Sequence, residues 1–163
     1  MLVGLGYFLY ETIMDPIRYE QAKEKQHSKV IERLIQIRSV QLAYREEYGT
    51  YAHDWDELLR FANEDSITII TTIGDPDRTD ADVRRDTNYV MVRDTLFADN
   101  FPIDSLPYVP GSGENAKFSM KTDTIERGGI QVPVFLVEDT DPFDSEHVLR
   151  VGSLQESSTT GNW

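Results

Sequence analysis

The segment Ala43-Tyr44-Arg45-Glu46-Glu47-Tyr48-Gly49-Thr50-Tyr51 constrains this chain more than any other. It closes one helical pattern and hands over at once to another. Upstream, Val30, Leu34, Ile37, Gln41, Tyr44 and Tyr48 recur at i, i+4, i+7 spacing, with Ile31, Ile35 and Val40 widening the stripe. That spacing puts them on one face of an amphipathic helix that must bury against something. Gly49 stands where a left-handed C′ residue ends such a helix. Asp54 with Glu57 three residues on opens the next helix in capping-box fashion. Trp55, Leu58, Leu59 and Phe61 supply its buried face.

The helix predicted before this junction is long, starting near Pro16, whose ring tolerates a first turn and little else. From Ile17 to Lys29 it is almost wholly polar, and a helix polar all round reads as an exposed stalk. Before Pro16 lies an apolar stub, Leu2 to Tyr10, interrupted by Glu11. A spanning helix needs about 20 mostly apolar residues. A secretory leader needs a basic start and a small-residue cleavage site. The stub meets neither requirement as it stands. It is either the downstream end of a membrane anchor or a helix face that packs on the core or a partner; the anchor is the expectation carried forward.

After the second helix the signals turn to strands. Ser66 to Ile73 is β-branched and reads as a strand or extended apolar segment. Gly74 to Asp86 reads as a charged loop, and Asn88 to Phe97 holds a strand around Tyr89-Val90-Met91-Val92. Leu106-Pro107-Tyr108-Val109 is a short edge, because Pro107 lacks a ladder donor. Ala116 to Arg127 alternates, Gly128-Gly129 is a two-residue hairpin turn, and Ile130 to Val137 returns. Residues 153–163 form a polar tail that Trp163 could dock. The expected fold class is α+β: a long N-terminal helix packed on a small antiparallel sheet. The expected division is stub 1–15, helix 16–49, head 50–152 and tail 153–163.

Composition bounds the function. The 163 residues carry a formal net charge of −13, which opposes nucleic acid, whose phosphates need a basic footprint. Acidity favours cationic partners, calcium among them. With no cysteine, disulfides, thiolate catalysis and thiolate metal sites are excluded. His27, His53 and His147 stand apart, and no His-x-x-x-His or Glu-x-x-His element gathers them. There is no Gly-x-Ser-x-Gly elbow, P-loop or dinucleotide fingerprint.

Two acidic loops are the remaining candidates. One holds Asp75, Asp77, Asp80 and Asp82; the other holds Glu138, Asp139, Asp141, Asp144 and Glu146. Calcium takes six to eight oxygens from such loops, and Asp139, Asp141 and Asp144 are the metal candidates, although solvated charge is the simpler account of both loops. Paired carboxylates could also serve a hydrolase. Tyr44, Tyr48, Tyr51 and Trp55 read as a seam between long helix and head.

Several separate blocks resemble an uncharacterised Bacteroidetes family of single-pass envelope proteins: Glu11 to Tyr19, Val30 to Tyr44, Arg93 to Phe97, Ile103 to Pro110 and the Gly161-Asn162-Trp163 ending. A wider similarity is to type IV pilins and type II secretion pseudopilins. It rests on the long helix, Ala43-Tyr44 to Tyr51, the Trp55 helix and the sheet that follows. Gly6-Tyr7 with Glu11 even resembles a prepilin processing site, but Asp15, Pro16 and Arg18 stand where a pilin continues apolar. The resemblance implies a pilin-like, non-enzymatic structural or interaction subunit of the cell envelope, anchored in the inner membrane through its N-terminal segment and facing the periplasm, or otherwise extracytoplasmic. It would meet other envelope proteins or itself through the long helix. The alternatives are a calcium-dependent binding module and a secreted carboxylate-using hydrolase.

Overall fold

The structure, a computed structural model, describes residues 2–73, 84–113 and 115–163, with side chains for 14–68, 87–113 and 115–163. Helix α1 (Leu2–Tyr48) is continuous over 47 residues, about 70 Å at 1.5 Å per residue. Pro16 lies inside it, not at its start as the ring geometry suggested. The ring leaves one carbonyl a turn earlier without its donor, and the helix absorbs that loss.

The anchor expectation is corrected here. Among the described residues no helix is long and apolar enough to cross a membrane. The apolar run ends at Glu11, and Asp15, Arg18 and Glu20 follow on the same helix. The anchored envelope subunit, its inner-membrane and periplasmic placement, and its membrane attachment through the N-terminal segment all fall with that finding. Whether Leu5, Phe8 and Leu9 are buried lies outside the described residues.

The predicted stripe forms the core. Val30, Leu34, Ile37, Val40, Ala43 and Tyr44 are buried, together with Gln41. Tyr48, at the end of the stripe, is 52% exposed. Gly49 has φ 76° and donates its N–H to the Arg45 carbonyl at 2.8 Å, the left-handed stop its position predicted. Helix α2 (Trp55–Glu64) begins as expected: Asp54 accepts the Glu57 N–H at 2.8 Å. The Glu57 carboxylate reaches back to the His53 N–H, also at 2.8 Å.

Two antiparallel sheets follow. Strands β1 (Ser66–Ile73) and β2 (Arg84–Met91) form a two-stranded ribbon, Ser66 opposite Met91 and Ile73 opposite Arg84. Strand β2 starts earlier than the Tyr89 pattern suggested, and at Val92 the chain turns into a short helix, α3 (Val92–Leu96). The reason is burial: Val92 is wholly enclosed and has to leave the ribbon for the core. A 3-10 turn (Ile103–Ser105) and a single bridge between Tyr108 and Lys117 lead onward.

Strands β3 (Ser119–Arg127) and β4 (Ile130–Glu138) pair across Gly128-Gly129, as predicted, and β5 (Arg150–Gly152) joins β4. Phe118, Phe135, Val137 and Val151 meet the α1 stripe in one hydrophobic cluster. The fold is thus mixed α+β, with residues 14–48 of the long helix packed against small antiparallel sheets. The C-terminal segment turns back: Gly152 N–H bonds the Thr160 carbonyl, and Asn162 N–H bonds the Arg150 carbonyl. The Asn162 side chain accepts from Arg150 N–H at 2.9 Å, so this segment covers the outer edge of β5.

Candidate functional site

The base of the β1–β2 ribbon is tied to the head. There the Val92 N–H bonds the Asp65 carbonyl at 3.0 Å. Ile67 and Val90 face each other and are half-buried, and Ile67 packs against the core. One residue further out, Thr68, Thr87, Asn88 and Tyr89 are exposed, Tyr89 by 75%. Each strand has eight residues, so the ribbon extends about 26 Å. A lone two-stranded ribbon is marginal in water. Its persistence here depends on the anchored base and on the β-branched composition of Ser-Ile-Thr-Ile-Ile-Thr-Thr-Ile.

The sheet edges differ in charge. Strand β1 contains no charged residue over its eight positions, whereas β2 begins Arg84-Arg85-Asp86. In the three-stranded sheet, the free β3 edge carries Lys121, Asp123, Glu126 and Arg127. The opposite edge, β5, is covered through the bridge from Val151 to Gly161. Charge and cover are the usual protections of open edges. Among the described strands, β1 has neither over its eight residues; β4 is also uncharged and unpaired on one side over residues 130–135, where Pro133 interrupts it.

The acidic loop after β4 does something other than gather a cation. Asp139 is 5% exposed and accepts the Asp141 N–H at 2.9 Å. Burial pushes the Asp139 carboxyl above its ordinary pKa, opposed by that N–H and by nearby His27. Asp144 accepts the Glu146 N–H at 3.0 Å, pairs with Lys23 Nζ at 2.7 Å and lies 3.2 Å from His147 Nδ1. The Lys23 bond leads in lowering the Asp144 pKa to about 2. Asp141 is exposed and contributes its backbone N–H to the turn. These are Asx turns, in which short carboxylates bond their own backbone two residues on. Among the described residues no three His, Asp or Glu side chains are grouped to hold a metal ion. The residues numbered 75, 77, 80 and 82 lie outside the described set.

The loop instead grips α1. Phe143 meets the Tyr19 ring at 5.3 Å between centroids, Asp144 holds Lys23, and Gln26 donates to the Pro110 carbonyl. His27 is half-buried and its Nε2 has no hydrogen-bond partner among the described residues. The polar stretch read as an exposed stalk is therefore held by the head from Tyr19 onward. Polarity alone could not reveal this, because Lys23 and Gln26 engage a carboxylate and a carbonyl distant in sequence.

The aromatic seam is present where the junction placed it. Tyr44 packs edge-on to Phe61 at 5.1 Å and donates to Glu57 Oε1 at 2.6 Å. Burial first, then that carboxylate, raises its pKa to about 12. Tyr51 lies against Phe135 at 4.6 Å, and Trp55 Nε1 donates to the Phe118 carbonyl at 3.3 Å. Spacing places Gln41 on the apolar stripe. It is wholly buried, accepting the Ala52 N–H at 2.9 Å and donating to the Ala52 carbonyl at 3.1 Å. A histidine–hydroxyl pair among the described residues, His53 Nδ1 with Thr122 Oγ1 at 2.6 Å, is exposed. No carboxylate pairs with that ring among the described residues, so the third group of a nucleophile–base–orienter set is missing there. No family model, curated protein or solved structure matches the chain.

Proposed function

We propose that this chain is a non-catalytic protein–protein association module, a pilin-like head built around the C-terminal half of a long helix, whose contact element is the β1–β2 ribbon. The observation that carries this reading is the ribbon's uncharged β1 edge, with which no described strand other than β2 pairs, beside a solvent-exposed Tyr89. Strand addition at such an edge supplies affinity through main-chain hydrogen bonds and specificity through alternate side chains. Edges of this kind also invite unwanted pairing; β1 has no charge and no proline along its length, whereas Pro133 interrupts the unpaired part of β4.

The helix supports the reading as a spine. Its buried stripe fixes the head, and Tyr19, Lys23 and Gln26 extend the grip toward its N-terminal half. A photoreactive residue placed at Tyr89 in the cells that make the protein tests the proposal. The expected result is a discrete crosslinked adduct at position 89 and none from the same residue at exposed Asp94. Absence of an adduct at 89, or the same adducts at both positions, overturns it.

A further inference from the structure

Resting on the association reading above, we infer that the occupant of the β1 edge is β1 of a second copy of this chain, paired antiparallel about a twofold axis through Ile70. The argument begins with the strand's sequence. Read outward from Ile70 in both directions, β1 is nearly a palindrome: Ile67 matches Ile73, Thr68 matches Thr72, and only Ile69 against Thr71 differs. A twofold interface is self-complementary, with residue i meeting j and j meeting i. A strand meeting its own copy across such an axis pairs residues of the same face, since the axis stands perpendicular to the sheet. With Ile70 opposite Ile70, the pairs become Ile67–Ile73, Thr68–Thr72 and Ile69–Thr71. Matched β-branched and Thr–Thr pairs are favourable cross-strand neighbours.

Charge points the same way. At a formal net charge of −13, two copies repel each other over most of their surfaces. Strand β1 is an eight-residue strip without charge, so it opposes no like charges on contact. Pairing would turn two marginal ribbons into one four-stranded sheet, ordered β2–β1–β1–β2. The free strands would then be β2 of each copy, which carry Arg84, Arg85 and Asp86. The dimer would therefore end in charged edges and stop there, without continuing into an open fibre.

The chain contains no cysteine, which makes the register directly testable. Cα atoms opposite each other in an antiparallel pair lie about 4.5–5.5 Å apart, within the span of a disulfide. Position 68 is opposite position 72 in this register, so two copies of residue 68 lie about 14 Å apart along the strands. Sedimentation of the unmodified full chain should show twice the chain mass, more completely as salt screens the repulsion. Under mild oxidation Ile70→Cys should form a covalent dimer while Thr68→Cys does not, both with the circular dichroism of the parent.

A second pair of variants checks the axis. Ile70→Lys and Ile70→Glu should each be monomeric alone and dimeric when mixed. A parent chain that remains monomeric at high concentration and salt overturns the inference. So does equal crosslinking at 68 and 70, or a dimer unaffected by Ile70→Lys. If self-pairing fails while Tyr89 still crosslinks to a different polypeptide, the association reading stands without it. If both fail, the ribbon is not a contact element.

Discussion

Replacing Gln41 by leucine should destabilise the protein far more than its similar size suggests. The Gln41 amide is wholly buried; it makes two hydrogen bonds with the main chain of Ala52, itself fully enclosed, and its Nε2 also donates to Met120 Sδ at 3.0 Å. Leucine fills similar space but can neither donate nor accept. It would leave one buried N–H and one buried carbonyl unpaired, each at a cost of roughly 1–3 kcal/mol. The added apolar burial offsets part of this, on the order of 1 kcal/mol for about one methylene of gain. The net expectation is a loss of about 1–5 kcal/mol. For a chain of this length that corresponds to a fall of roughly 2–20 °C in Tm. Urea unfolding with the slope held fixed gives the difference directly. A loss below about 1 kcal/mol would show that the Ala52 groups are satisfied in some other way, and it would refute the assignment of Gln41 as the pin of the Gly49–Ala52 turn.

The Asp144 carboxyl, held at a pKa of about 2 chiefly by Lys23, is depressed in the folded state. Its contribution is therefore present above the ordinary carboxylate value and lost as pH falls toward 2; Asp144→Asn should flatten that part of the stability–pH curve, as followed by thermal scans between pH 5 and 2. Tyr44, raised to about 12 first by burial and then by Glu57, stabilises the fold fully below the ordinary tyrosine value of about 10 and loses that contribution between 10 and 12. Ultraviolet titration should show its phenol ionising late, with the late component absent in Tyr44→Phe. Gly152 has φ 82°, and a Cβ there would fall on the Phe135 carbonyl oxygen, so Gly152→Ala should cost more than the roughly 1–2 kcal/mol of a left-handed alanine alone. Gly128 and Gly129 have open space around them, and alanine there should cost no more than that. Denaturation midpoints of the three variants check the ordering.

The most legible elements were those whose signal is local. The stripe from Val30 to Tyr44, the Gly49 stop, the Asp54 cap and the Gly128-Gly129 turn each follow from spacing or from one residue's backbone preference. What could not be read depended on contacts distant in sequence. Lys23 and Gln26 look like solvent-facing stalk residues until Asp144 and the Pro110 carbonyl meet them. Asp139 and Asp144 look like cation ligands because composition counts carboxylates without showing where their oxygens point; both oxygens that mattered accept backbone N–H groups of their own loop. The stub resembles the end of a longer apolar run, but Glu11 and Asp15 place charge on the same helix within and just after it. The ribbon was half visible: β1 was read from its β-branched run, but nothing in a strand's own sequence states whether a neighbour covers its second edge.

That last gap connects stability to function in this fold. The head concentrates its apolar contacts along one stripe of α1 and against β3 to β5, where the seam of Tyr44, Phe61, Tyr51 and Phe135 adds specific ring geometry. Within the ribbon Ile67 packs against that core and Val90 is half-buried, whereas Thr68, Thr87, Asn88 and Tyr89 are exposed. An element that contributes little to the core is free to change partners without unfolding the rest, since local opening there costs only its own hydrogen bonds. The same separation explains how an unprotected edge can be tolerated. If β1 were continuous with the main sheet, a stray strand added there would couple to the whole head. In a separate two-stranded ribbon that edge is limited to eight residues, and under the self-pairing inferred above its partner is selected by the near-palindrome about Ile70 and not by hydrophobicity alone.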